Sequence, residues 1–147
     1  MVDKPKCDQM LSSLDGYLGA LEELGRVPRD EFLANKDKIG SAKYHFVIAI
    51  EACIDVANHI ISSERYRVPR DNADSLSVLA EHGILPEAKR PSFAAMARFG
   101  NRLVHLYWEV DDGLVHDYLK TRLGDLRLFL TKVSSFVAQQ RDEASAS

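Results

Sequence analysis

Residues 46–61 read F-V-I-A-I-E-A-C-I-D-V-A-N-H-I-I. Wound at about 100° per residue, this run is apolar on nearly every side, which predicts a central helix covered by other helices. The helical pattern extends over about 37–63. Its polar members carry information, because a buried polar group needs a partner. Asp55, Asn58 and His59 are such a set. They serve either as bonds to neighbouring helices or a second subunit, or as support for a functional site. Asp55 and His59 share a face at a four-residue step, but two ligands are too few for a metal site. No metal and no cofactor is expected.

Upstream, residues 6–24 place Met10, Leu11, Leu14, Tyr17, Leu18, Leu21 and Leu24 at steps of three and four. This is a helix, with Gly25 suited to its C-terminal end. Gly16 and Gly19 lower its intrinsic propensity by about 1 kcal/mol each relative to Ala, a cost that close packing would explain. Pro28 and the following R-D-E-F-L-A-N read as one or two helical turns bringing the chain back.

Downstream, E-R-Y-R-V-P-R-D at 64–71 reads as a loop, either solvated or adding positive charge at the mouth of a cleft. Residues 72–80 form a short helix stopped at H-G-I-L-P. Pro86 opens the next helical stretch and Pro91 restarts or bends it. The last helix runs over about 114–141, and 142–147 is a flexible tail. The fold class is all-α, an antiparallel bundle of four to five helices in one domain spanning 1–147.

One helix is chemically distinctive. Residues 98–107 read R-F-G-N-R-L-V-H-L-Y, and Arg98, Asn101, Arg102 and His105 fall on one side of it. Met96, Phe99, Leu103 and Val104 fall on the other, toward a core. Two guanidiniums, an amide and an imidazole on an open face suit a phosphate: Arg brings a permanent charge in a planar fork, and His exchanges a proton near neutral pH. Tyr107 would point away from His105 on a continued helix, so the chain must turn if its hydroxyl is to reach the site.

The spacing of Asn101, His105 and Tyr107, followed by W-E-V-D-D, resembles the signature of the HEPN superfamily, and within it the HepT-like toxins. I-D-V-A-N-H-I-I at 54–61 and the G-I-L-P turn at 83–86 are similar to the same family, so the likeness covers nearly the whole chain. It implies a HEPN-like helical domain and a metal-independent endoribonuclease. The implied catalytic residues are Arg98, Asn101, Arg102 and His105. The family's usual Arg directly before the Asn is replaced by Gly100, so either Arg98 or Arg102 is the guanidinium.

The resemblance further implies a homodimer in which two motifs face one cleft. It also implies an MntA-like nucleotidyltransferase antitoxin that transfers AMP to Tyr107. The alternative, which Gly100 favours, is a helical subunit that partners a minimal nucleotidyltransferase and binds nucleotide or nucleic acid without cleaving it.

Composition sets limits. Hydrophobic residues at 46% and charged residues at 28% belong to a folded globular protein. The net charge of -3 supplies no global field for nucleic acid, so any RNA contact is local; Lys89, Arg90, Arg98 and Arg102 form such a patch. Cys7 and Cys53 have no metal-type spacing. The opening M-V-D-K-P-K-C-D lacks a signal-peptide core, and residues 46–61 are interrupted by Glu51, Asp55, Asn58 and His59. A cytoplasmic location without membrane contact is the expectation.

Overall fold

The computed structural model describes the backbone of residues 2–146 and the side chains of residues 2–140. The tail expected over 142–147 therefore lies outside the fully described residues. Seven α-helices follow in order: α1 (Lys4–Gly25), α2 (Arg29–Leu33), α3 (Lys36–Glu64), α4 (Asn72–Glu81), α5 (Arg90–His105), α6 (Asp112–Thr121) and α7 (Leu123–Ala146). Single 3-10 turns at Glu87–Lys89 and Tyr107–Glu109 flank α5. The architecture is an all-α antiparallel bundle. The extents of α1 and α3 match the periodic segments of the sequence to within two residues at each end.

Each start is chemically marked. Asp3, Asn35, Asp71 and Asp111 cap α1, α3, α4 and α6 with their side-chain oxygens, satisfying backbone N–H groups that have no partner within the helix. Pro91 sits in the first turn of α5, where a missing N–H costs nothing. At its far end, α3 stops at Arg65 in the left-handed region, φ 59°.

α3 is the axis of the bundle, packed by α1 on one side and by α4 and α5 on another. Phe46, Ala49, Ile50, Cys53, Val56, Ala57 and Ile60 are fully or almost fully buried along it. It is not covered all round, however: Tyr44, Glu51, Asp55 and Asn58 are exposed. Although long and apolar enough to cross a membrane by composition, α3 spends its apolar surface inside the bundle. Packing sulfur in this interior also raises the thiol of Cys53 by burial.

Three expectations are corrected. Gly16 and Gly19 face open space, with nothing within 4 Å of where a Cβ would sit, so close packing does not explain them. Gly25 is the last helical residue and Arg26 takes the cap position. The segment expected as one helix over 114–141 is broken at Arg122, between α6 and α7. There the Thr121 hydroxyl donates to the Asp117 carbonyl at 2.8 Å, a local bond that competes with helix continuation.

The loop after α3 is solvated, with Arg65, Arg67, Val68 and Arg70 exposed, yet one of its arginines ties it down. Arg67 forks onto both oxygens of Asp74, at 2.7 and 2.8 Å, and reaches Glu81 as well. The Arg70 backbone N–H adds a bond to Asp74. The Arg67 guanidinium, then the Arg70 amide, hold the Asp74 carboxyl well below the usual carboxylate range. A depressed carboxyl contributes stability that is present above the unfolded value of about 3.9 and is lost as pH falls toward the folded value. Asp74→Asn should lower the Tm at pH 7 by about 3–6 °C. The gap to wild type should close progressively below pH ~4 when thermal melts are repeated down the pH scale.

Candidate functional site

The buried stripe of α5 is Phe93, Met96, Ala97, Phe99, Gly100 and Leu103. Phe99 packs edge-on against Phe46 of α3, with ring centroids 5.4 Å apart, and tilts against Tyr118 of α6. This stripe fixes the helix's rotation about its own axis. Arg98, Asn101, Arg102 and His105 are consequently all exposed, on the side opposite the stripe as the sequence predicts. Val104 departs from expectation: it is 50% exposed rather than facing the core, because it borders an open cleft between α3 and α5.

Gly100 determines how close α5 comes to α3. A Cβ built there would lie 2.9 Å from Ile50 Cγ2, so the Ile50 side chain packs directly on the bare α5 backbone. The place where the family's usual Arg would stand is thus a packing position in this chain. A guanidinium for the open face has to come from Arg98 or Arg102.

The basic patch expected from the sequence is smaller in space. Lys89 pairs with Asp125 at 3.6 Å and Arg90 with Glu87 at 3.0 Å, so both are spent on structural acids. Among the described residues, Arg98, Arg102 and His105 make no ion pair or side-chain hydrogen bond. Arg102 and His105 also lie in the last turn of α5, where positive charge is favoured by the helix dipole.

Beside this face is a cleft of about 150 Å³ between α3 and α5, bordered by Asn101 and His105 on one helix and Glu51 on the other. Arg98 and Arg102 do not line it; they lie around the helix beyond His105. The structure therefore brings Asn101 and His105 to a cleft edge and leaves the two guanidiniums on the adjoining solvent face.

The turn needed at Tyr107 is present. Leu106, at φ -132° and ψ 41°, ends the helix, and its N–H donates to the Arg102 carbonyl at 2.7 Å. Tyr107 then lies over the Lys43 ammonium, 4.3 Å from the ring centroid. Lys43 is buried and pairs with Asp112 at 3.1 Å, so one cation ties α3, the turn after α5 and the start of α6 together. Neither aromatic of the turn is packed away: Tyr107 is 46% and Trp108 78% exposed. With Val104 and Leu106 they form a run of exposed apolar side chains.

Sequence reading missed Lys43 and Glu51. Both lie on α3 facing the cleft side, with Lys43 at a four-residue step before Val47 and seven before Ile50; an ammonium one turn outside an apolar run looks like ordinary surface. Asn58 and His59 resolve to the structural alternative, bonding neighbouring helices. Asn58 accepts from Ser75 of α4 at 2.7 Å, and His59 Nε2 accepts from the Asp3 backbone at the start of α1 at 3.0 Å. Asp55 borders a separate groove toward α1.

The chain belongs to the Ribonuclease HepT-like family, whose description it matches over residues 14–133. It is 28% identical over 85 residues to the mRNA nuclease HepT of Shewanella oneidensis, a match spanning 58% of this chain and 64% of that relative. It is 22% identical over 133 residues to the tRNA nuclease HepT of Aphanizomenon flos-aquae, 90% of each chain. Among solved structures it is similar to the tri-AMPylated HEPN toxin of Shewanella oneidensis in complex with its MNT antitoxin. There the TM-score is 0.81 at 21% identity, covering 92% of this chain and 99% of that one.

The tight contact at Gly100 makes a stability prediction. Gly100→Ala gains about 1 kcal/mol of helix propensity but forces Ile50, stiff at χ1, to give way, at about 1–3 kcal/mol. Net destabilisation of roughly 1 kcal/mol is expected from urea unfolding with an unchanged slope. Gly16→Ala, with open space around it, should instead stabilise by up to about 1 kcal/mol.

Proposed function

We propose that this chain is the ribonuclease toxin of a toxin–antitoxin pair, cleaving RNA without a metal at the exposed face of α5. The observation that carries the reading is the arrangement of Arg98, Asn101, Arg102 and His105 on one helix face with no partner among the described residues. Groups held in place and left unpaired are available to a substrate phosphate.

His105 transfers the proton, taking it from the ribose 2′-hydroxyl or giving one to the leaving 5′-oxygen. Arg98 or Arg102 stabilises the charge that builds on the phosphorane. Asn101, one turn before His105 and sharing its cleft, orients the imidazole or the phosphate. Two relatives, an mRNA nuclease and a tRNA nuclease, support RNA as the substrate class.

In-line cleavage benefits from both an acid and a base, and each chain offers one such histidine on this face. A homodimer with two α5 faces across one cleft answers that need. The exposed run of Val104, Leu106, Tyr107 and Trp108 at the end of the motif supports an interface there, since apolar side chains clustered on a surface mark contact sites.

The antitoxin is an MntA-like nucleotidyltransferase, as the complex of the Shewanella toxin suggests. The Tyr107 hydroxyl attacks the α-phosphate of ATP, pyrophosphate leaves, and the phenolic proton is lost to base. The AMP added beside His105 brings negative charge and bulk to an anion site. The alternative, a nucleotide-binding subunit without cleavage, draws its support from Gly100, which leaves the family's usual arginine position without a charge.

Purified protein should cut a mixed RNA in EDTA, and His105→Ala should lose about 10²- to 10⁴-fold in rate. Cleavage unaffected by that substitution contradicts the assignment of His105. Incubation with ATP and the cognate nucleotidyltransferase should add AMP by intact mass, and Tyr107→Phe should abolish the gain at that position. No gain, or a gain of the same size in Tyr107→Phe, contradicts the modification site.

A further inference from the structure

The cleft between α3 and α5 has a composition that the cleavage chemistry does not use. Its walls are apolar: Ile50 and Ile54 from α3, Ala97 and the bare Gly100 backbone from α5. Around them stand Glu51, Asn72 and Asn101. None of these three side chains makes a hydrogen bond or ion pair among the described residues. Asn35, Asn58 and Asp74, by contrast, are taken up by a helix cap, by Ser75 and by Arg67. Three polar groups left unpaired around an apolar slot await a ligand with an apolar face and a polar edge.

The volume restricts what enters. Sites for whole drug-sized ligands run to about 300–1,000 Å³, whereas this cleft is about 150 Å³. It accommodates one flat ring system and not a nucleotide. Because Asn101 and His105 border it, a base placed there belongs to the nucleotide joined to the phosphate that His105 serves.

We propose that this slot is a base-recognition pocket selective for guanine, read by Glu51. The proposal rests on the ribonuclease reading for its ligand, RNA. A carboxylate only accepts hydrogen bonds, and guanine alone among the four bases presents two adjacent N–H donors, N1–H and the N2 amino group, to its two oxygens. Cytosine and adenine present one amino group each. Uracil presents a single N3–H between two carbonyl oxygens, which repel a carboxylate on both sides. The Asn72 and Asn101 amides donate to the guanine O6 and N7 acceptors. The apolar side chains Ile50 and Ile54 offer the flat face of the base a surface to pack on. Gly100 keeps the walls close, so the residue that displaced the family's arginine also shapes the pocket.

The test is calorimetric binding of 3′-GMP, 3′-AMP, 3′-CMP and 3′-UMP to the full chain, and to Glu51→Gln, with thermal melts confirming that the variant is folded. Glu51 is exposed, so the exchange leaves the core intact. Binding of 3′-GMP at least tenfold tighter than 3′-UMP is expected, in line with what one bidentate base contact contributes. Glu51→Gln should weaken 3′-GMP by about tenfold and leave 3′-UMP within twofold. Equal binding of the two nucleotides, no binding of either, or 3′-GMP binding indifferent to Glu51→Gln overturns the proposal.

Mapping of cut sites in a mixed RNA separates this failure from that of the ribonuclease reading. Cleavage without preference for guanine beside the cut removes the pocket and keeps the nuclease. Guanine-selective binding with no cleavage keeps the pocket and removes the nuclease.

Discussion

The approach of α5 to α3 at Gly100 and Ile50 is the constraint on which the site depends. With no Cβ at position 100, the α5 backbone lies directly against Ile50, while Phe99 is fixed against Phe46 and Tyr118. These contacts leave the helix one rotational setting. In that setting Asn101 and His105 border the cleft, and Arg98 and Arg102 stand beside it. The cost of the arrangement is borne by helix propensity at Gly100, about 1 kcal/mol relative to Ala; the apolar contacts it permits offset it.

Lys43 extends the same logic to the turn beyond the helix. A buried ammonium is costly unless paired, and here it is held by Asp112 and covered by the Tyr107 ring. The two contacts place the tyrosine at the end of the cleft-bearing helix with its ring half exposed. Chemistry on the phenol and chemistry at His105 are thereby kept two residues apart in sequence, on backbone that turns sharply between them at Leu106.

Much of this is legible from residue order. Apolar steps of three and four in α1, α3 and α7 follow from burying one face of each helix, and they specify an all-α bundle before any tertiary contact is known. The open face of α5 is legible for the same reason: Phe99 and Leu103 dictate which side turns inward, so Arg98, Asn101, Arg102 and His105 must turn outward. What is not legible arises from contacts between segments distant in sequence. Lys89 and Arg90 read as cations for a substrate, but Asp125 and Glu87 neutralise them. Val104 reads as core, but it borders the open cleft beside α3. Glu51 interrupts an apolar run and is exposed, but that it borders a cleft shows only once α5 is laid beside α3. The break at Arg122 has no proline to announce it, only Gly124 two residues on and the side chain of Thr121 bonding back to Asp117.

The central claim is that RNA is cut by its own 2′-hydroxyl with His105 moving the proton, and the ends of the product report on it directly. Fragments from cleavage in EDTA, resolved by mass spectrometry, should carry a 2′,3′-cyclic phosphate on one side and a 5′-hydroxyl on the other. A substrate with 2′-deoxyribose at the cut position should survive. Fragments ending in a 3′-hydroxyl and a 5′-phosphate, or equal cutting of the deoxy substrate, would contradict the mechanism, because water and not the ribose would then be the nucleophile.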